Sequence, residues 1–334
     1  MLLEKETLPI RPRRARRTDA IRRMVEETML RPSDLVAPLF LIEGENRKEE
    51  IPSLPGIYRM TIDQALKTAE RYHALGVPAV NLFPAIDAIL KDADGSYALC
   101  KEGLIPCALQ AFKTEIPSLC LMADVALDPF TSHGHDGVID EDGYVLNDQT
   151  VQLLSAMSLV YAEAGADVIA PSDMMDGRIG AIRKTLDYAG LESVAILSYT
   201  AKYASALYGP FRDALRSGLK KGDKKSYQMN PANRREAVRQ AELDVEQGAD
   251  MVMVKPALFY LDVIAEIRSR VHVPVAAYHV SGEYAQVMAA HSYGWLDAPR
   301  VFFEALLSIK RAGADFILTY ALDQVLPLLA AEPF

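Results

Sequence analysis

Along most of the chain, short apolar runs alternate with longer amphipathic stretches. The runs cover residues 35–42, 77–83, 118–127, 167–171, 194–199, 250–255, 273–278 and 314–320. Each is a short apolar run that predicts a strand, with helix-length amphipathic segments between most of them. Several runs are introduced by the same phrase, a helix end, then glycine, then a polar strand start. It recurs at Ala74-Leu75-Gly76-Val77, Ala164-Gly165-Ala166-Asp167, Gln247-Gly248-Ala249-Asp250 and Ala312-Gly313-Ala314-Asp315. Glycine there supplies a left-handed helix terminus. Alternating strands and helices with short turns imply parallel pairing, and eight such units predict an α/β TIM (β/α)8 barrel rather than a doubly wound sheet. The barrel is expected over residues 31–334, with its chemistry at the carboxyl ends of the strands.

Residues 1–30 do not share this pattern. Arg11, Arg13, Arg14, Arg16, Arg17, Arg22 and Arg23 cluster around Pro9 and Pro12. Such a segment builds no core of its own and is a solvated arm or a limb packed on another subunit. A nucleic-acid tail is set aside, because aromatic residues are not interleaved and the whole chain carries a net charge of -9. An N-terminal oligomerisation arm is the expectation. The 334 residues, half of them hydrophobic, suffice for one barrel-sized core. Cys100, Cys107 and Cys120 are too few and too scattered for a disulfide framework, which fits a reducing compartment. With no signal pattern at the N-terminus and no apolar run of bilayer length, the expected location is the cytoplasm, with no membrane partner.

The strand ends carry the chemistry. In Asp250-Met251-Val252-Met253-Val254-Lys255-Pro256, proline bars extension of the ladder, so Lys255 stands where the strand stops. It is either an ammonium reaching water along its stem or an amine kept neutral in a dry pocket, and the latter is a nucleophile. The preceding strand runs into Ser198-Tyr199-Thr200-Ala201-Lys202, delivering a second lysine to the same mouth. Two ammonium groups at close quarters repel; at least one then loses its proton readily, and a free amine attacks a ketone to form a Schiff base. Asp124 and Asp128, the loop Thr131-Ser132-His133-Gly134-His135-Asp136-Gly137, Ser172 with Asp173, Ser281 and Tyr320 follow other strands. After Lys202 comes a long polar connection, expected to be a mobile lid over about residues 202–230. Lys220, Lys221 and Lys225 are expected in solvent, whereas Arg212, beside Phe211, is suited to a substrate carboxylate. The alternative is a class I Schiff-base aldolase on the same barrel. That enzyme needs one lysine and typically a phosphate pocket, and no glycine-rich phosphate loop follows the last two strands.

Several long motifs carry a family likeness. Asp124-Val-Ala-Leu-Asp128, Thr131-Ser-His-Gly-His135, Pro171-Ser-Asp-Met-Met-Asp-Gly-Arg178, Ser198-Tyr-Thr-Ala-Lys202, Tyr208-Gly-Pro-Phe-Arg-Asp213, Met253-Val-Lys-Pro256 and Val280-Ser-Gly-Glu-Tyr284 together resemble the porphobilinogen synthase (5-aminolevulinate dehydratase) family. The resemblance covers nearly the whole chain. It implies a TIM barrel whose arm wraps a neighbouring subunit in hexamers or octamers. It also implies a lyase that condenses two molecules of 5-aminolevulinate into porphobilinogen, with loss of two waters, early in tetrapyrrole and haem synthesis. Carried over by position, Lys255 would bind the first-committed ketone, at the A site, and Lys202 that of the P site. Asp124 and Ser172 would contact the substrate amino group, with Asp124 a proton carrier. Arg212 and Lys224 would hold one carboxylate, Ser281 and Tyr320 the other, with Tyr208 and Phe211 completing the substrate-binding set.

The metal positions depart from the zinc-dependent relatives, whose three cysteines fall on Ala126, Asp128 and Asp136 here. Without thiolates the zinc preference is lost, and carboxylates favour Mg²⁺ or no metal. The expectation is that no cofactor is required. Asp128 and Asp136 are weak candidates for Mg²⁺, the alternative, and His133 and His135 are expected as hydrogen-bonded polar structure. Mg²⁺-stimulated relatives place a glutamate where this chain has Gln240, and a neutral amide does not replace a carboxylate for that ion.

Overall fold

In the computed structural model, residues 8–331 are described with the exception of Lys221. The first seven residues of the expected arm, Lys221 of the expected lid and the last three residues of the expected barrel lie outside them. Eight parallel strands close on themselves: β1 (Leu35–Leu41), β4 (Ala79–Pro84), β5 (Cys120–Val125), β6 (Val168–Pro171), β7 (Ala195–Lys202), β8 (Met251–Lys255), β9 (Val275–His279) and β10 (Phe316–Thr319). Neighbours in the chain pair in order, and β10 returns to β1 through Leu35↔Ile317 and Val36↔Leu318. All eight expected strands are present. The four glycines at the expected helix ends have φ of +91, +110, +102 and +117° at Gly76, Gly165, Gly248 and Gly313, the left-handed geometry that each turn requires.

Helices α2 (Ile62–Ala74), α3 (Leu104–Glu115), α4 (Asn147–Glu163), α5 (Arg178–Tyr188), α7 (Arg235–Glu246), α8 (Leu261–Arg268), α9 (Ser281–Ser292), α10 (Ala298–Ala312) and α11 (Leu322–Ala330) surround the barrel. The described part of the arm is a 3-10 turn over Pro12–Arg16 and α1 (Asp19–Met24), whose first turn is capped by Thr18 Oγ1 accepting from Ile21 N at 3.3 Å. Its arginines are exposed, and so are Leu8, Ile10, Met24 and Met29.

Three features were not legible in the pattern. A hairpin of β2 (Lys48–Glu50) and β3 (Tyr58–Met60) attaches to the end of β1, with strands too short to show a period. A short helix, α6 (Gly209–Leu215), stands within the long connection after β7. Strand β7 itself continues three residues past the expected end, so Lys202 lies in the ladder rather than beyond it. Under the mouth, Phe40, Phe83, Tyr199, Tyr278 and Tyr320 form an aromatic floor. Phe40 and Tyr320 stack at 5.9 Å, and Tyr278 bonds Tyr320 hydroxyl to hydroxyl at 2.8 Å.

Candidate active site

Lys202 and Lys255 close β7 and β8 and are direct register partners. Both are buried, at 7% and 3% exposure, but their surroundings differ. The Lys255 ammonium position is ringed by aromatic faces, 4.5 Å from the Tyr278 centroid, 4.6 Å from Phe211, 5.1 Å from Tyr199 and 5.5 Å from Tyr208. Among the described residues no carboxylate lies within ion-pair distance of it. Burial first, then the charge of Lys202, pulls its pKa down to about 7. The expectation that one of two crowded lysines sheds its proton thus has a larger cause than repulsion, namely desolvation.

Lys202 instead donates to Asp136 Oδ2 at 3.0 Å and to the carbonyl oxygen of Ser172. Asp136 also takes Lys224 Nζ at 2.5 Å, and Lys224 lies 3.5 Å from Asp128. Burial alone would raise the Asp136 carboxyl; the two ammonium groups outweigh it and hold it at about 2. Burial would likewise lower Lys224, but Asp128 and Asp136 keep its pKa above the ordinary value. Asp124 accepts from Ser172 Oγ at 3.1 Å on one oxygen and has no partner on the other. Its burial pushes the carboxyl up to about 7 against the pull of both lysines.

A narrow cavity joins several of these groups, lined by Lys202, Lys255, Ser172, Arg212 and Lys224 among others. Arg212, half-buried, makes no ion pair among the described residues. Ser281 Oγ accepts from Phe211 N at 3.0 Å, and Tyr320 bonds Tyr278, so both adjoin rings that surround Lys255. Tyr208 donates to the carbonyl oxygen of Lys255 at 3.0 Å. Every substrate-binding residue expected from the sequence reaches this mouth or its aromatic floor.

The segment expected as a lid is fastened by contacts within the protein itself. Lys224 is committed to Asp136 and Asp128, and Ser217 Oγ donates to Asp128 Oδ2 at 3.1 Å. Met229 N donates to Lys202 O at 2.9 Å, and Arg59 donates to Ala214 O at 2.7 Å and Asp213 O at 2.6 Å. Apart from Lys202, the partners come from the loop after β5 and the β2–β3 hairpin, far away in sequence.

The same contacts bear on a metal. At the three positions where zinc-dependent relatives carry cysteine, this chain offers Ala126 and two carboxylates already facing lysines, so the donor set does not fit zinc. Mg²⁺ would have to displace Lys224. Among the described residues no three His, Cys, Asp or Glu side chains are arranged to hold an ion. His133 Nε2 lies 3.1 Å from Ala93 O and His135 Nδ1 3.1 Å from the Tyr227 hydroxyl, the polar structure expected of them. Gln240 donates to Asp244 Oδ1 at 2.8 Å.

Sequence reasoning quoted Asp173 and Arg178 within a motif but missed that they join Asp244 in a buried group behind the site. Its signal was present, since Ser198 and Thr200 put hydroxyls on alternate positions of a strand buried on both faces.

A sequence model of the family described as Delta-aminolevulinic acid dehydratase matches residues 9–328. The chain is 53% identical over 323 residues to the delta-aminolevulinic acid dehydratase of Chlamydia pneumoniae, covering 97% of both chains. It is 54% identical over 314 residues to that of Bradyrhizobium diazoefficiens, covering 94% of this chain and 89% of the relative. Among solved structures it is similar to delta-aminolevulinic acid dehydratase (porphobilinogen synthase) from Toxoplasma gondii in complex with the reaction product porphobilinogen, with a TM-score of 0.94, 47% identity, and coverage of 96% of this chain and 91% of that one. With the match running through barrel and mouth alike, this chain belongs to the delta-aminolevulinic acid dehydratase family of lyases.

Proposed function

We propose that this enzyme is a porphobilinogen synthase, condensing two molecules of 5-aminolevulinate with loss of two waters through Schiff bases on Lys255 and Lys202. The observation that carries the reading is the pairing of these two buried lysines, in register, in one cavity with opposite electrostatic surroundings. Each substrate brings a ketone, an amine and a carboxylate. The pyrrole keeps both carboxylates, so the oxygens lost as water are the ketone oxygens, and an imine is the form in which a ketone sheds its oxygen.

Lys255, half deprotonated near neutrality, attacks first; Lys202 is ion-paired and must hand its proton on before it attacks. The carboxylate of the ketone on Lys255 points toward Ser281 and Tyr320, and that of the ketone on Lys202 toward Arg212 and Lys224. Asp124, titrating near neutrality with one free oxygen, receives the substrate amino group beside Ser172 and moves a proton between the two substrates. No bound metal enters these steps. The exposed apolar residues of the arm support its reading as a limb that packs on a neighbouring copy in a hexamer or octamer. No helix among the described residues is long and apolar enough to cross a membrane, and three free cysteines support a reducing, cytoplasmic setting.

Borohydride reduction in the presence of 5-aminolevulinate, followed by peptide mapping, tests the assignment. Label is expected on Lys255 and Lys202. No label, or label on another lysine, overturns it.

A further inference from the structure

The strands that carry the two lysines are not in simple register. Leu197 pairs with Met251 and Ser198 with Val252, yet Ala201 pairs with Val254 and Lys202 with Lys255. Four steps of β7 are matched to three of β8, so β7 holds one residue more than its partner, a β-bulge. Because side chains alternate between the two faces of a strand, a one-residue difference exchanges faces.

The lower part of β7 shows the assignment. Tyr199 turns into the barrel, facing Lys255 and accepting from Asn81 Nδ2 at 3.1 Å, while Ser198 and Thr200 turn outward to Asp244 on α7. Unbroken alternation would send Lys202 outward with Ser198 and Thr200 and set Ala201 opposite Lys255. The bulge is what brings the second amine into the cavity.

The groups that hold the bulge are polar and fully buried. Asp244 Oδ2 accepts from Ser198 Oγ at 2.6 Å and from Thr200 Oγ1. Arg178 Nη2 donates to Ser198 Oγ at 3.2 Å and to Tyr199 O at 3.4 Å, a main-chain carbonyl within the irregular stretch, and stands 3.7 Å from Asp244. An ion pair under a strand is replaceable by apolar packing without loss of stability in many proteins, so its place over the irregularity calls for a reason. The other end of Arg178 supplies one: Nε faces Asp173 Oδ2 at 3.4 Å and Nη1 donates to Met175 O, bracing the loop whose Ser172 carbonyl receives Lys202.

We propose that Arg178 and Asp244 are positioning residues that clamp the bulge in β7 and thereby place Lys202, not Ala201, opposite Lys255. The proposal rests on the reading of both lysines as Schiff-base carriers. Its test is the ratio of label on Lys202 to label on Lys255 after borohydride reduction with 5-aminolevulinate, in the intact enzyme and in Thr200→Val, Thr200→Ser and Asp244→Asn. Valine keeps the shape and strand preference of threonine and replaces only the hydroxyl, by a methyl group.

The expected result for Thr200→Val is a label ratio and a turnover each lowered by about tenfold, with Lys255 still labelled and with Thr200→Ser close to the parent enzyme. An unchanged ratio, or equal loss at both lysines in a folded protein, overturns the proposal. If Thr200→Val does not fold, the same ratio in Asp244→Asn decides. A parent enzyme not labelled on both lysines would instead overturn the functional reading, so the two failures are distinguishable.

Discussion

An ammonium taken out of water must find opposite charge or lose its proton, and at this mouth two lysines on neighbouring strands take the two courses. Lys202 has Asp136 at 3.0 Å; Lys255 faces aromatic rings, with no carboxylate at ion-pair distance among the described residues. The rate of borohydride-trapped imine formation at Lys255 is therefore expected to rise with pH through about 7 and level off; a limb that continues toward the ordinary lysine range of about 10 would contradict the assignment. The stability consequence has a definite sign. Between about 7 and the unperturbed 10.5 the unfolded state binds the proton that folded Lys255 lacks, so this residue's destabilising effect is full below pH 7 and fades as pH rises. Lys255→Met is accordingly expected to raise the melting temperature more at pH 6 than at pH 9, while cutting turnover by at least ~10³-fold. Equal melting shifts at the two pH values would show that the lysine is not held neutral by the fold.

At the scale of elements, the lid is a case of local sequence pointing one way and distant partners another. Its glycines and lysines read as a loose loop, but α6 is tied to β3 by the buried Arg59 guanidinium. Arg59→Met would remove the guanidinium from Ala214 O and leave Asp213 O with only Arg216 N, a change worth about 1–3 kcal/mol, and is expected to increase native-state proteolysis within residues 215–230. The KM for 5-aminolevulinate should rise in parallel, since Arg212 is carried on the same helix. Cleavage and KM at parental levels would show that the hairpin does not govern the lid.

For the whole molecule, assembly and metal dependence are the properties to test. The arm exposes Leu8, Ile10, Met24 and Met29 beside its arginines, a surface suited to a neighbouring copy. Deleting residues 1–30 is expected to yield a smaller assembly by light scattering; an unchanged mass would remove the arm from the interface. Chelation is expected to leave most activity intact, because Asp128 and Asp136 already face Lys224 and Lys202 and Gln240 is engaged by Asp244. Loss of activity restored by Mg²⁺ alone would overturn that, and restoration only by Zn²⁺ would also require ligands other than the ones at these positions.

By itself the sequence determined the barrel, its eight strands, the glycine-ended helices and the delivery of Lys202 and Lys255 to one mouth. All of these follow from short-range regularities, a hydrophobic period, a left-handed glycine and a proline that stops a ladder. What each lysine would meet there was decided only in three dimensions. Lys224 and Asp136 are 88 residues apart, Lys202 and Asp136 66, and the aromatic ring around Lys255 draws on β7, β9 and the lid. The inward face of Lys202 is likewise tertiary, because alternation within β7 predicts the outward face and only pairing with β8 over a clamped bulge reverses it. Local pattern sets what a segment can form; closure of the barrel brings its ends together and sets the charge, burial and register on which the chemistry depends.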